Sequence, residues 1–407
     1  MTSQLLTRRT PPPAREPGVW ADPHFRLLIM MTGLGFAGFG LLLPTAPLWA
    51  AHGGASEAGV GLVNAVLMLV TVVTQTAVPR ALHRIGWRPT LLVGMALLGA
   101  PALLHPLSDD LTTVLVLSGV RGVGFGVLTV CGAAAVARLA APELRGRAIG
   151  AYGLAIAAPQ LVLVPLGPWL AEHVGFGPVL AAAACPLLAL LPASRLGRLL
   201  DDRPAPAHAD DTPHPKPLAA VTWPLMSAIV VLLVITTAGG ALITFTPQFG
   251  IDPTTSLLSL LSLTGAAAVA RWRLGGFADR FGPQPFFAPL LLLAGVGLGV
   301  IAWAISDPGA PREVLLPLAM ALVGISYGGL QNVTLVAAFA AVPERQSNAA
   351  SAAWNIGFDT GTGLGSLAVG VIAAGGSFGP SVAVTAALCL VAVPVALTSR
   401  GRAARHQ

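Results

Sequence analysis

Gly275-Gly276-Phe277-Ala278-Asp279-Arg280-Phe281-Gly282-Pro283 is a charged stretch set between two long apolar runs, and it has a mate earlier in the chain. The mate is Pro79-Arg80-Ala81-Leu82-His83-Arg84-Ile85-Gly86-Trp87-Arg88, also set between two apolar runs. Their Arg-x-Gly cores, Arg84 to Gly86 and Arg280 to Gly282, align at an offset of 196, from 84 to 280. A second pair follows in the same order. Pro142-Glu143-Leu144-Arg145 matches Pro343-Glu344-Arg345 at an offset of 201, from 142 to 343. Two matches at nearly one offset indicate that the chain is a parallel repeat of two similar halves.

The composition says what the halves are made of. Hydrophobic residues are 55% of the 407 and charged residues only 10%, against about 25% charged in soluble domains. This is the composition of an integral membrane protein. The net charge of +6 does not indicate nucleic acid, because the basic residues sit between apolar runs instead of clustering on one soluble face. Cys131, Cys185 and Cys389 all lie inside apolar runs without metal spacing and read as small buried hydrophobes. No His pairs with another ligand at metal spacing, so no metal site and no cofactor are expected. His24, His52, His83, His105 and His173 read as interfacial or loop residues.

A bilayer-crossing helix needs about 20 apolar residues. Twelve candidates meet this: 25–50, 58–79, 89–107, 112–138, 147–170, 177–194, 222–248, 255–275, 286–305, 313–341, 347–374 and 379–398. Runs of this length must be helices, because lipid satisfies no bare backbone group. Barrel strands would be shorter and alternating. The first run is full length, so it reads as a retained span and not a signal peptide.

With the N-terminus in the cytoplasm, 21 of the 23 Lys and Arg fall on the cytoplasmic side. The positive-inside rule therefore orients both termini inward. The expected organisation is a cytoplasmic tail (1–24), a six-helix half (25–199), a polar, Pro-rich cytoplasmic linker (200–221), a second six-helix half (222–398) and a short tail (399–407). The fold class is all-α, with twelve transmembrane helices as two six-helix repeats.

This pattern resembles the major facilitator superfamily along the whole chain. The family's loop signature between spans two and three is Gly-x-x-x-Asp-Arg-x-Gly-Arg-Arg. The second-half copy, Gly275 to Gly282, keeps it best; in the first copy Pro79 replaces Gly, His83 replaces Asp and Trp87 replaces Arg. Arg121-Gly122-Val123-Gly124-Phe125-Gly126 approximates the span-four signature. Ala157-Ala158-Pro159-Gln160 stands where antiporters carry a Gly-rich run ending Gly-Pro. The overall look is similar to bacterial drug or sugar efflux members. The resemblance implies alternating access, with spans 1, 4, 7 and 10 lining the cavity and spans 2, 5, 8 and 11 joining the halves.

Polar residues inside the spans are the candidate site. Asp359 is the one charged residue between Gln346 and Ser399, about 18 Å into its span. Burial disfavours a charged carboxyl and a nearby cation favours it, so such a group can carry a coupling proton. On family geometry span eleven faces span two, where Asn64 lies fifteen residues from Pro79. A hydrogen bond between Asp359 and Asn64 at the seam is therefore expected. Arg121, about 14 Å deep, is costly to bury and reads as an anion-attracting or coupling residue. Tyr327, Gln331 and Thr334 share one helical face, and so do Thr237, Thr244 and Gln248. Both faces are expected to line the substrate cavity. Arg84, Gly86, Gly275, Asp279, Arg280 and Gly282 are the expected cytoplasmic gate, their charges latching onto helix ends.

These observations point to a monomeric secondary transporter of the inner (plasma) membrane. It exchanges protons for a small amphipathic compound or drug, in the direction of efflux. The alternative is uptake or facilitated exchange of a metabolite, with Asp359 structural. No phosphate-binding Gly-x-x-x-x-Gly-Lys loop is present, so the chain does not use ATP itself. A membrane enzyme would need a cluster of His, Asp or Glu, and a receptor would carry a sizeable soluble domain. Neither is expected.

Overall fold

The computed structural model describes residues 20, 22–140, 144–203, 222–307, 309–343 and 346–403. The Pro142-Glu143 and Glu344-Arg345 motifs and most of the tail and linker calls lie outside the described residues. Fourteen α-helices among the described residues make twelve spans. The first half is α1 (Pro23–His52), α2 (Glu57–Ile85), α3 (Trp87–Leu104), α4 (Leu111–Leu139), α5 (Arg145–Val174) and a sixth span in two pieces. Those pieces are α6 (Phe176–Ala182) and α7 (Leu190–Asp202), joined by a 3-10 turn, Cys185–Ala189. The second half is α8 (Trp223–Phe245), α9 (Pro253–Phe281), α10 (Phe287–Ala304), α11 (Leu316–Ala340), α12 (Ser347–Ala373) and the pair α13 (Phe378–Val391) and α14 (Val393–Ala403).

The helices start where local chemistry starts them. Asp22, Ser56, Asp110 and Asp252 each accept a bond from an amide of the first turn of α1, α2, α4 and α9, the ordinary N-cap. Gly86 and Gly282 end α2 and α9 at φ 83° and 77°, a region that only glycine enters without steric cost. The two glycines are repeat mates, so one backbone turn is used twice.

The helices run six residues past Pro79 and six past Gly275, to Ile85 and Phe281. Arg84, Gly275, Asp279 and Arg280 are therefore helical and not loop residues. Pro79 sits inside α2, as prolines in packed membrane helices can.

The two halves share one packing plan. In the first, α1 packs on α5 and α2 on α4; in the second, α8 packs on α12 and α9 on α11. The halves meet along two seams, α2 against α12 and α5 against α9. Call the end carrying Pro23 the tail end and the opposite end the far end. Seam contacts run from Glu57–Gly370 at the far end through Gly61–Ser366 and Gly363–Met68 to the Gln75–Asp359 hydrogen bond. On the second seam Thr264 bonds the Leu161 carbonyl at 3.2 Å. Between Gly146 and Leu163 only Ala148 of α5 is buried. The halves are thus pinned together from mid-depth to the far end and part toward the tail end.

Candidate functional site

Asp359 sits on the α2–α12 seam, 5% exposed. Its partner is Gln75, whose amide donates to Oδ2 at 2.7 Å and lies 3.3 Å from the Thr129 hydroxyl of α4. Asn64 does not bond Asp359. It lies three turns farther toward the far end and donates to the Leu43 carbonyl at 2.8 Å and to Thr244 at 2.9 Å. The expectation failed on depth: measuring from Pro79 misplaces the end of α2 by six residues, about 9 Å at 1.5 Å per residue. Measured from Ile85, Gln75 is ten residues in and Asp359 is twelve residues into α12.

Thr244 is fully buried and bonds both Asn64 and Ser366, the latter at 2.8 Å. Leu43, Asn64, Thr244 and Ser366 thus tie α1, α2, α8 and α12 together beyond mid-depth. Thr244 belongs to this tie. Thr237 donates to the Leu233 carbonyl of its own helix. Gln248, past the end of α8, lines a small cavity of about 220 Å³ at the far end with Glu57, Phe249, Ile305 and Phe378. The three residues of the span-seven face therefore do not line one chamber.

Tyr327, Gln331 and Thr334 do come together with side chains of α12. Trp354 donates its indole N–H to the Thr334 hydroxyl at 3.1 Å. It stacks on Phe358 at 5.6 Å, and Phe358 meets the Tyr327 ring at 6.4 Å. The Tyr327 ring lies against Gly239, where a Cβ would come within 2.7 Å of Cδ2, so only glycine lets it seat there. Gln331, Arg271 and Asp359 all lie within interaction range of the Tyr327 hydroxyl. The Gln331 amide nitrogen is buried beside the Tyr327 hydroxyl. Trp354, Phe358 and Tyr327 thus form an aromatic wall beside the Gln331 amide, with a cation at one edge and a carboxylate at the other.

Sequence reasoning missed Gln75, Arg271, Trp354 and Phe358. Arg271 lies on α9, its carbonyl accepting from Asn332 at 3.0 Å. The signal for the aromatic pair was available, since Trp354, Phe358 and Asp359 recur at i, i+4 and i+5 on one helix.

Arg121 is not brought to Asp359. It is 1% exposed inside the first half, and no carboxylate among the described residues acts on it. His105, expected at the interface, is fully buried instead. At the tail end Arg84, Asp279 and Arg280 are exposed, and none makes an ion pair among the described residues; Arg280 lies over the Phe281 ring at 5.1 Å. No cluster of His, Cys, Asp or Glu among the described residues could hold a metal.

The family model of the Major Facilitator Superfamily matches residues 28–309. The chain belongs to the Major Facilitator Superfamily, a family of secondary transporters. Its fold is similar to that of a bacterial homologue of the human lysosomal transporter Spinster, in an inward-facing and occupied conformation. The TM-score is 0.72 at 14% identity, covering 92% of this chain and 96% of that one. It is also similar to the nucleoside transporter NupG, at TM-score 0.69 and 12% identity, covering 93% and 99%. Among curated proteins, no sequence matches the chain.

Proposed function

We propose that the chain exports a small amphipathic organic compound across the plasma membrane in exchange for protons, by alternating access, with both termini in the cytoplasm. The observation that carries the proton is Asp359. It is a buried carboxyl at mid-depth, on the surface where the halves separate, held by a neutral amide and by no cation among the described residues. A carboxyl so placed responds both to protons and to movement of α2 against α12.

The substrate class rests on the wall of Trp354, Phe358 and Tyr327. Aromatic faces offer apolar area with specific geometry, and the Gln331 amide beside them offers a hydrogen-bonding group to one polar group of a substrate. Asn64 and the Thr244 tie hold the far end shut. Arg84, Asp279 and Arg280, with Gly86, Gly275 and Gly282 at the helix ends, are the groups available to close the tail end in the opposite state. The basic end as the cytoplasmic end follows the positive-inside rule.

Inverted vesicles energised acid inside test the reading. A panel of amphipathic aromatic compounds is added and the pH gradient followed, for the wild type and for Asp359→Asn. Compound-dependent collapse of the gradient, lost in the variant, is the expected result. If no compound collapses the gradient in vesicles that contain the protein, proton exchange is refuted. The Gln75–Asp359 bond is then a structural tie in a uniporter or metabolite exchanger.

A further inference from the structure

The interior of the first half holds a set of polar groups that the proton reading does not use. Val114, Ser118, Arg121 and Phe125 fall on one face of α4, and that face packs on α1. Phe125 stacks flat on Phe39 of α1 at 3.8 Å, with Phe36 edge-on to both. Val114 packs in the cluster of Leu42 and Ala46. Arg121 lies between these two apolar layers.

Two of its guanidinium nitrogens, Nε and Nη2, are buried without a partner among the described residues. One turn toward the far end the Ser118 hydroxyl is also buried without a partner. His105, in the 3-10 turn after α3, has both ring nitrogens buried without partners, and the Arg121 charge acts on its ring. The Trp49 indole N–H of α1 fixes the His105 backbone, donating to its carbonyl at 2.9 Å. Arg121 is 1% exposed, and Ser118 and His105 are 0% exposed.

Every group here can donate. The guanidinium presents N–H bonds only, a neutral imidazole keeps one N–H, and the hydroxyl has one O–H. Burying a cation whose Nε and Nη2 find no acceptor and no counter-charge is costly. Among the described residues no carboxylate pairs with Arg121. The nearest acids in sequence, Asp109 and Asp110, are taken up outside, Asp109 against His52 at 3.1 Å and Asp110 as the cap of α4. What satisfies four buried donor groups beside a positive charge, between a layer of phenylalanines and a layer of aliphatics, is a small anion.

We propose that Arg121, Ser118 and His105 form a buried binding site for a small inorganic anion of the halide class, inside the first half and separate from the substrate wall. A bound halide neutralises the guanidinium and joins α3 to α4 through His105 and Ser118. The site stands apart from the proton reading, since none of its residues bonds Asp359.

The test is the melting temperature of the purified full-length protein in detergent, with sodium gluconate replaced by chloride at constant ionic strength and pH. The expected result is a rise that sets in near the dissociation constant for chloride and continues at roughly 2 °C for each tenfold increase above it. Bromide and nitrate act like chloride. Ser118→Ala, which removes a hydroxyl and no bulk, moves the curve to about tenfold higher chloride; Arg121→Gln loses the dependence. Identical curves in gluconate and chloride overturn the proposal. A chloride effect that Ser118→Ala leaves unmoved also overturns it, whether or not Arg121→Gln folds. If acetate matches chloride and the two variants change both responses alike, the site takes a carboxylate and the halide assignment fails.

Discussion

Gly61→Val should hold the transporter open at the far end without unfolding it. A Cβ at Gly61 meets the Ser366 carbonyl of the other half and comes within 3.3 Å of the Leu367 Cα. These are backbone atoms of a packed helix and cannot swing aside as a side-chain tip would. Overpacking of this kind costs about 1–3 kcal/mol, and the whole strain lies between the halves. Parting the halves at the far end relieves it. The balance between the two conformations therefore moves by roughly 5- to 150-fold toward the far-end-open form.

Gly365→Val is the control. Its Cβ meets the Thr237 backbone, within 2.6 Å of the carbonyl carbon, inside the second half, so parting the halves relieves nothing. Spin labels at Leu107 and Val314 report the far-end separation. Both residues are at that end, one on each half, and they are 79% and 86% exposed. Gly61→Val should add a longer distance at a nearly unchanged melting temperature. Gly365→Val should lower the melting temperature and leave the distances alone. A Gly61→Val protein that melts early with an unchanged distance distribution would refute the argument that the seam is a separable contact.

Further outcomes follow from named contacts. Asn64→Ala removes the donor to Leu43 and Thr244; it should open the far end in the same spin-label assay, by about 1–3 kcal/mol for the acceptors left unpaired. Trp354→Ala should raise the KM for an aromatic substrate about tenfold, from about 1.5 kcal/mol of lost ring contact, with little change in expression or melting temperature. Asp201 accepts from the Trp87 and Arg88 amides at 2.6 and 3.1 Å; Asp201→Ala should lower the melting temperature by the roughly 1 kcal/mol of an N-cap while transport persists.

The number of spans and the repeat were legible because both are written in long-range pattern: twelve apolar runs and one turn chemistry used twice. Gly86 and Gly282 could be found because the requirement they meet is local. The helix ends were not legible at Pro79 and Gly275, because tertiary packing carries a membrane helix through residues that would stop a soluble one. That shortfall displaced the partner of Asp359 from Gln75 to Asn64. The burial of His105 was hidden for another reason: it depends on α1 bringing Trp49 across to the end of α3, a contact between residues 56 apart.

The seam between α2 and α12 has a consequence for how its history can be read. Gly61 and Gly370 face the main-chain carbonyls of Ser366 and Glu57, and Gly363 lies 3.5 Å from the Ala65 Cα for a Cβ built on it. A carbonyl is offered by any residue, so a change of side chain at the facing position asks for no compensating change at the glycine. Among descendants of this chain, correlated substitution should therefore be weak along the surface where the halves meet. Constancy at single glycines should take its place, while paired changes gather at contacts made by side chains on both sides, such as Gln75 with Asp359.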